Sequence, residues 1–457
     1  MARKKIFISP PMDKLSRYIA AAGTRKLPVK VAEKTKHHVL DTLAAMISGS
    51  RLKPGKMAIK YIRGQGGTKE ATVIGSKIVT TTVNAALANG MMGHADETDD
   101  SHFEGKFHPG CGIVPAALAV AEKTAGSGEA LLRAVALGYD VGARINRSLG
   151  ITKTYQGGHS THTLGAAFGA AAAAGLLFKF DPRQVRHMLS YTGQQASGLY
   201  CWARDEEHIE KAFDFAGQGA RNGVSAAGFV AAGFTGVDDV FSGHNNFYSA
   251  IGENPKPDEL AKDLGKRYEI MQATIKKWCV GSPIQAVLDA GIALIEEHGV
   301  SDKDVERIVI EMPDDRAHIV DNRNMPDICV QHMLAIMLID GGVDFASAHD
   351  YPRMKNARVL ALRKKMTVVP RAKLTKAVPP RQIVLEIATK DGRVLRHHTR
   401  AVRGTPANPM PRAEVEEKAL DLTVPILGVP RANKLIDTIW HIERLKSVRP
   451  LRSLLQA

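Results

Sequence analysis

Aromatic residues are scarce in this 457-residue chain, at 5%. Cysteine is scarcer: Cys111, Cys201, Cys279 and Cys329 stand far apart, and no CxxC occurs. That spacing excludes a disulfide framework and suits free thiols in a reducing cytoplasm. No HxxxH, HxH or CxxC ligand pattern accompanies the acidic and histidine residues described below, so no metal is expected. The longest apolar run, LGAAFGAAAAAGLLF (164–178), is too short and Ala-rich to span a bilayer and reads as a buried helix. The opening stretch, MARKKIFISPPMDK, is charged without a sustained apolar core, which does not suit a secretory signal. No repeat of 20 to 50 residues is visible.

Charge of one sign is in excess, with a net +15 and a pI of about 9.6. Such a surface suits nucleic acid, a membrane or acidic metabolites. The basic residues are scattered and form no block interleaved with aromatics, so neither a nucleic-acid nor a membrane partner is expected. Hydrophobic residues at 44% and charged residues at 24% are ordinary for a soluble globular protein of two or three domains.

The chemistry concentrates in GHADETDDSHFEGKFHPGCGIVPAALAVAE (93–122), where five carboxylates and three histidines lie between two Ala-rich segments. The segment VNAALANGMMGHA before it reads as a helix, and Pro115 is expected to open the helix after it. A polar loop between two buried helices can hold ionisable groups where burial and crowding shift their pKa values. Its Asp and Ser residues are equally suited to capping helices, and the residues alone leave both readings open.

Apolar residues recur three and four apart through 12–50, as amphipathic helices require. Nearly everything to about residue 260 reads as helix, with one β-like turn at ATVIGS (71–76). Ser127 and Asp181-Pro182 are expected helix starts. The texture then changes: ERIVIEM (306–312) and MTVVP (366–370) read as strands, and RQIVLEIATKDGRVLRHHTRAV reads as a hairpin turning at Asp391-Gly392. The expected fold is mainly α: a helical domain over 1–268, an inserted smaller α+β lid domain over 269–403, and C-terminal helices over 404–457 returning to the first domain. The cleft between the two domains is the default binding site.

Several motifs in order resemble the MmgE/PrpD family, the group of 2-methylcitrate dehydratase and cis-aconitate decarboxylase. HADETDDSH (94–102) and HPGCGIVPAALAVAE (108–122) resemble the family's HALDFDDTH, HPG and PAALALAE. GGHST (157–161), KAFDFAGQGARNGV (211–224), IKKWCVGSPIQAVLDA (275–290), GTPANP, VPILG and LIDTIW resemble its later motifs. The resemblance implies a cofactor-independent lyase on small di- and tricarboxylates, such as a 2-methylcitrate-like acid. It also implies a helical domain with an α+β lid, and a homodimer. By position it brings Glu97, Asp100, Ser101, His108, His159, Lys211 and Lys276 to the site. The chain departs from the family where Glu97 replaces Asp, Ser101 replaces Thr and Gly158 replaces Phe. It also lacks the His that often follows the lid lysine.

Dehydrating a β-hydroxy acid requires a base for the proton beside a carboxylate, an acid for the departing hydroxyl, and cations for the developing charge. His159 is the candidate base and His108 the candidate acid. Lys211 and Lys276 would hold carboxylates with help from Arg221, and Asp100 and Glu97 would orient a histidine. Lys276 is chosen over the adjacent Lys277 by its motif position. Asp99 and Asp100 are as suited to helix N-caps as to catalysis, His102 and His162 carry weaker motif support, and packing is the expected role of Cys111 and Cys279. A decarboxylase and an epimerase or isomerase share the proton step and are the alternatives within enzymes. A non-catalytic metabolite binder is the alternative outside them.

Overall fold

The computed structural model describes residues 7–457. Helix dominates, with a small amount of strand. The chain divides into two compact units. One comprises the described part of Met1–Ala95 with Asp99–Ala273 and Leu422–Ala457, and the other comprises Asp96–Thr98 with Thr274–Asp421.

The first unit is built around the Thr161–Leu177 helix, every residue of which is buried. Beyond its first turn this helix is apolar on every side, which suits a core helix. The helices Gly128–Ser148, Gln218–Ala231 and Pro109–Thr124 pack against it. Small side chains let these backbones approach closely. At Gly142, an added methyl would stand 2.5 Å from the Gly165 carbonyl oxygen, and at Gly138 it would stand 2.9 Å from that of Gly169. Ser127 and Asp181 cap their helices as expected: Ser127 accepts from the Ala130 N–H, and Asp181 forms a capping box with Gln184.

One local detail differs from expectation. The helix expected to begin at Pro115 begins at Pro109 and runs through Pro115 to Thr124. The N–H groups of a first helical turn lack intrahelical partners, so Pro109 opens the helix without loss. Pro115 instead removes one i→i−4 bond, which the packed neighbours tolerate. The turn segment at 71–76 is half of a hairpin, with Ala71–Thr72 pairing antiparallel to Val79–Thr80.

Within the stretch that reads as helix up to about residue 260, the part from Ile209 to Ala231 is helical but changes pitch. Ile209–Ala212 leads into a π turn at Phe213–Gly217, which leads into the Gln218–Ala231 helix. Such a π turn is frequent at functional sites because it re-aims side chains within a continuous helix.

The second unit carries a four-stranded sheet in the order Met366–Arg371, Val305–Pro313, Ile383–Thr389, Val394–Thr399. The last two form the expected hairpin, with Gly392 at φ +87° in its turn. Val305–Pro313 pairs antiparallel with Ile383–Thr389 and parallel with Met366–Arg371. The Gln285–His298 helix packs on the hairpin and on the buried Val330–Asp340 helix. Among the described residues, no helix is long and apolar enough to cross a membrane.

Candidate active site

The acidic loop after the Thr82–Gly93 helix sends its two adjacent aspartates in different directions. Asp100 is wholly buried. Its Oδ1 accepts the Gly110 N–H at 2.8 Å, and its Oδ2 accepts the Tyr139 hydroxyl at 2.5 Å and lies 2.7 Å from His38 Nδ1. Burial, with Lys34 nearby, pushes His38 down to about 4 against the pull of Asp100. Burial and the same carboxylate push Tyr139 well up. Both therefore meet Asp100 in their neutral, donating forms. Asp100, expected to orient a catalytic histidine, orients His38. Through Gly110 it also fixes the first turn of the helix that His108 starts. Neither aspartate is the N-cap, which is His108 itself.

Asp99 is the carboxylate that meets the histidines of the motif. Its Oδ1 lies 2.9 Å from His94 Nδ1 and 3.0 Å from His108 Nδ1. Around this pair the rings close into a cluster. His94 stacks on Phe215 at 4.2 Å and lies 5.0 Å from His108 and 5.0 Å from His208. His162 stacks on the same Phe215 ring, its centroid 3.5 Å from that of Phe215, 5.4 Å from that of His108 and 5.5 Å from that of Trp202. Lys211 holds its ammonium 5.1 Å from the Phe215 ring and 5.6 Å from that of Trp202. Burial pushes the His162 imidazole well below its usual range, and His108, His94 and Lys211 add to the effect while Asp99 opposes it. His162 is thereby held neutral. Two histidines, His94 and His108, are tied to one carboxylate, His162 is kept uncharged, and a lysine stands beside the group.

The structure thus gathers His108 and Lys211 from the expected site and adds Asp99, His94, His162, His208, Trp202 and Phe215. Asp99 and His162 had motif neighbours as their only signal. His94 opened the acidic motif without being assigned a part, and His208 offered no pattern at all. His159 lies three residues before His162, half-buried, paired through its backbone with Leu199. Among the described residues its imidazole makes no hydrogen bond or ring contact.

The strand of loop carrying His159 is anchored by Asp214, which lies in the π turn. Asp214 accepts the Ser160 hydroxyl, and the Thr163 hydroxyl bonds to its carbonyl. Burial pushes the Asp214 carboxyl up to about 7, against the Ser160, Thr163 and Leu199 donors. Sequence pattern offered no sign of this residue. Ser101 is buried, and among the described residues its hydroxyl has no hydrogen-bond partner. Arg221 projects from the Gln218–Ala231 helix, with Nε 3.1 Å from Asn222 Oδ1 and its guanidinium 5.5 Å from the Phe213 ring. His102 is structural: Nδ1 accepts the Gly105 N–H at 2.9 Å and Nε2 faces Glu269 at 3.2 Å.

Glu97 and Lys276 belong to the second unit. The Lys276 ammonium, fully buried, donates to the Glu97 carbonyl at 2.7 Å and approaches its carboxylate at 3.4 Å. Lys277 is less buried and lies over the Trp278 ring at 4.8 Å. The short Asp96–Thr98 stretch is held by three cationic side chains of that unit. Besides Lys276, Lys418 donates to the Thr98 carbonyl at 2.9 Å, and His349 faces Asp96 at 2.9 Å. Burial opposes the His349 charge, but Asp96 outweighs it and raises that imidazole to about 9. Burial pushes the Cys279 thiol up to about 12, so it is not a nucleophile.

The MmgE/PrpD N-terminal domain family model matches residues 13–260, and the MmgE/PrpD C-terminal domain model matches residues 278–443. A cis-aconitate decarboxylase-like protein of Aspergillus oryzae is 28% identical over 285 residues, covering 58% of this chain and 58% of that protein. A cis-aconitate decarboxylase of Aspergillus terreus is 24% identical over 294 residues, covering 60% of this chain and 59% of the relative. The chain therefore spans under two thirds of the length of these relatives.

Proposed function

Because this chain belongs to the MmgE/PrpD family, we propose that it is a cofactor-independent lyase acting on a small hydroxy di- or tricarboxylate, such as a 2-methylcitrate-like acid. The observation that carries the proposal is the buried Asp99–His108 pair with the half-buried Lys211 beside it. Asp99 holds His108 by Nδ1, which leaves Nε2 to carry the mobile proton, and stabilises the imidazolium between turnovers. Lys211 neutralises a substrate carboxylate, so that charge building on the adjacent carbon spreads into it.

In the dehydration, a base takes the proton beside the carboxylate and the C–H pair becomes the new double bond. The C–O bond breaks, and His108 protonates the departing oxygen, giving water. His159 is the base in this proposal. His162 does not suit that task, because its surroundings disfavour the protonated form it would have to take. Ser101 serves a further carboxylate or hydroxyl group of the substrate.

The names of the relatives favour decarboxylation as a second reading. There the C–C bond to a carboxylate breaks, carbon dioxide leaves, and His108 delivers its proton to the carbon that keeps the electron pair.

Incubating the protein with hydroxy and unsaturated polycarboxylates in heavy water tests both readings. Nuclear magnetic resonance should show an unsaturated product and deuterium exchange beside a carboxylate, without gas release. Release of carbon dioxide with one deuteron incorporated establishes the second reading. Absence of both exchange and product across the panel overturns the enzymatic proposal.

A further inference from the structure

Cys111 is the member of the buried cluster that the proton chemistry leaves idle. It lies two residues into the helix that Pro109 opens, wholly buried, with its thiol 3.3 Å from the His108 carbonyl. One ring nitrogen of His94, one carboxylate oxygen of Asp99 and the Cys111 Sγ all lie within 4.8 Å of one another. His94 Nδ1, the ring nitrogen that faces Asp99, is the one that can share a cation with that carboxylate.

The donor set selects the ion. Calcium and magnesium take oxygen ligands, whereas an imidazole, a carboxylate and a thiolate together suit a borderline cation such as Zn²⁺. In a tetrahedral shell with bonds of about 2.0–2.3 Å, neighbouring ligand atoms stand roughly 3.3–3.6 Å apart. His94 Nδ1 and Asp99 Oδ1, now 2.9 Å apart, would part by a few tenths of an ångström if that nitrogen served. The sulfur would close by at most about 1.5 Å. Charge also balances. One divalent cation with an ionised carboxylate, a thiolate and a neutral imidazole has no net charge, so the interior holds the complex without an uncompensated ion.

We propose that His94, Asp99 and Cys111 form a Zn²⁺ site whose occupation shuts off the acid–base centre by withdrawing Asp99 from His108. On binding, the Cys111 S–H bond breaks, its electron pair goes to the metal, and one proton is released to solvent. No electron transfer occurs. The inhibitory half rests on the function proposed above, but the binding half does not.

Titration of the metal-free protein with Co²⁺ as a spectroscopic substitute tests the binding half. Uptake of one Co²⁺ per chain should bring a near-ultraviolet thiolate-to-cobalt band and release one proton. Zn²⁺ should displace the cobalt. C111S and C111A should lose the band and bind the metal at least about tenfold more weakly, whereas C201S should keep both. Two Cys111 variants guard against a packing artefact in either one, and unchanged melting temperatures would confirm that they fold. No stoichiometric uptake, or a band that survives in both Cys111 variants, overturns the site. For the inhibitory half, Zn²⁺ should abolish turnover reversibly, with recovery on chelation. C111S, compared with its own metal-free rate, should need at least about tenfold more Zn²⁺. Cobalt binding without any turnover would sink the proposed function and leave the site standing. Turnover without cobalt binding would do the reverse.

Discussion

His108 places its Nδ1 3.0 Å from Asp99 Oδ1, and the neighbouring Asp100 fixes the Gly110 N–H at 2.8 Å in the helix that His108 starts. One aspartate sets the electronic state of the histidine and the next sets its position. Replacing Asp99 by Asn keeps the shape but removes the charge that favours the imidazolium. D99N should lower kcat by about 10²–10⁴, the range of general acid catalysis, with KM changed far less. D100N should instead destabilise the fold, because a buried charge-assisted network loses about 1.5–3 kcal/mol per bond to an ionised group. Kinetics and thermal unfolding of the two variants separate the roles. Equal effects on both readouts would contradict the division of labour.

His159 and His162 lie three residues apart, and their surroundings oppose each other. His162 is buried among cationic neighbours, whereas His159 is half-buried with a ring that touches none of the described aromatic residues. H159N should cost about 10²–10⁴ in turnover. H162N should cost much less in kcat and show up mainly as loosened packing against Phe215. Deuterium exchange into substrate, measured for both variants, ranks them directly. Retained exchange in H159N would remove it from the proton step.

Asp214 titrates near 7 because burial disfavours its charged form. A carboxyl with a raised folded pKa binds more protons folded than unfolded over about pH 4 to 7, so its contribution to stability is complete at acid pH and lost as pH rises through 7. D214N keeps an acceptor for Ser160 and cannot ionise. Its melting temperature should exceed that of the wild-type protein at pH 8, with the gap narrowing below pH 7 and closing only near pH 4. A constant gap across that window would mean that the carboxyl does not titrate there.

The packing around the central helix allows no extra methyl at Gly142, where the Gly165 carbonyl would stand 2.5 Å away. G142A should destabilise the first unit by about 1–3 kcal/mol. Thermal unfolding checks this, and a neutral result would show that the helices can slide apart.

Much of this architecture can be read from local pattern. The helix caps at Ser127 and Asp181 and the hairpin at Asp391-Gly392 are local, and they formed where side-chain chemistry places them. Pro115 misled because proline at the first turn and proline inside a packed helix look alike until an earlier Pro109 is seen to open the helix. The parallel partner of Val305–Pro313 lies more than fifty residues away, beyond any periodicity. Within the candidate site, motif order led to His108 and Lys211. It could not tell Asp99 from Asp100, because consecutive loop residues face different neighbours and the choice depends on His38 and Tyr139, both distant in the chain. His208 adopts a left-handed backbone at φ +60°, which no residue pattern foretells.

The sealed surroundings of Asp100 have a consequence for how the protein meets its medium. Dissolved electrolyte screens charges that it can approach and leaves enclosed ones untouched. Asp100, His38 and Tyr139 are all enclosed, so the scaffold beneath His108 is indifferent to ionic strength. Lys211, only partly covered, is within reach of salt. Added salt therefore weakens the grip on an anionic substrate while leaving the geometry of each turnover intact.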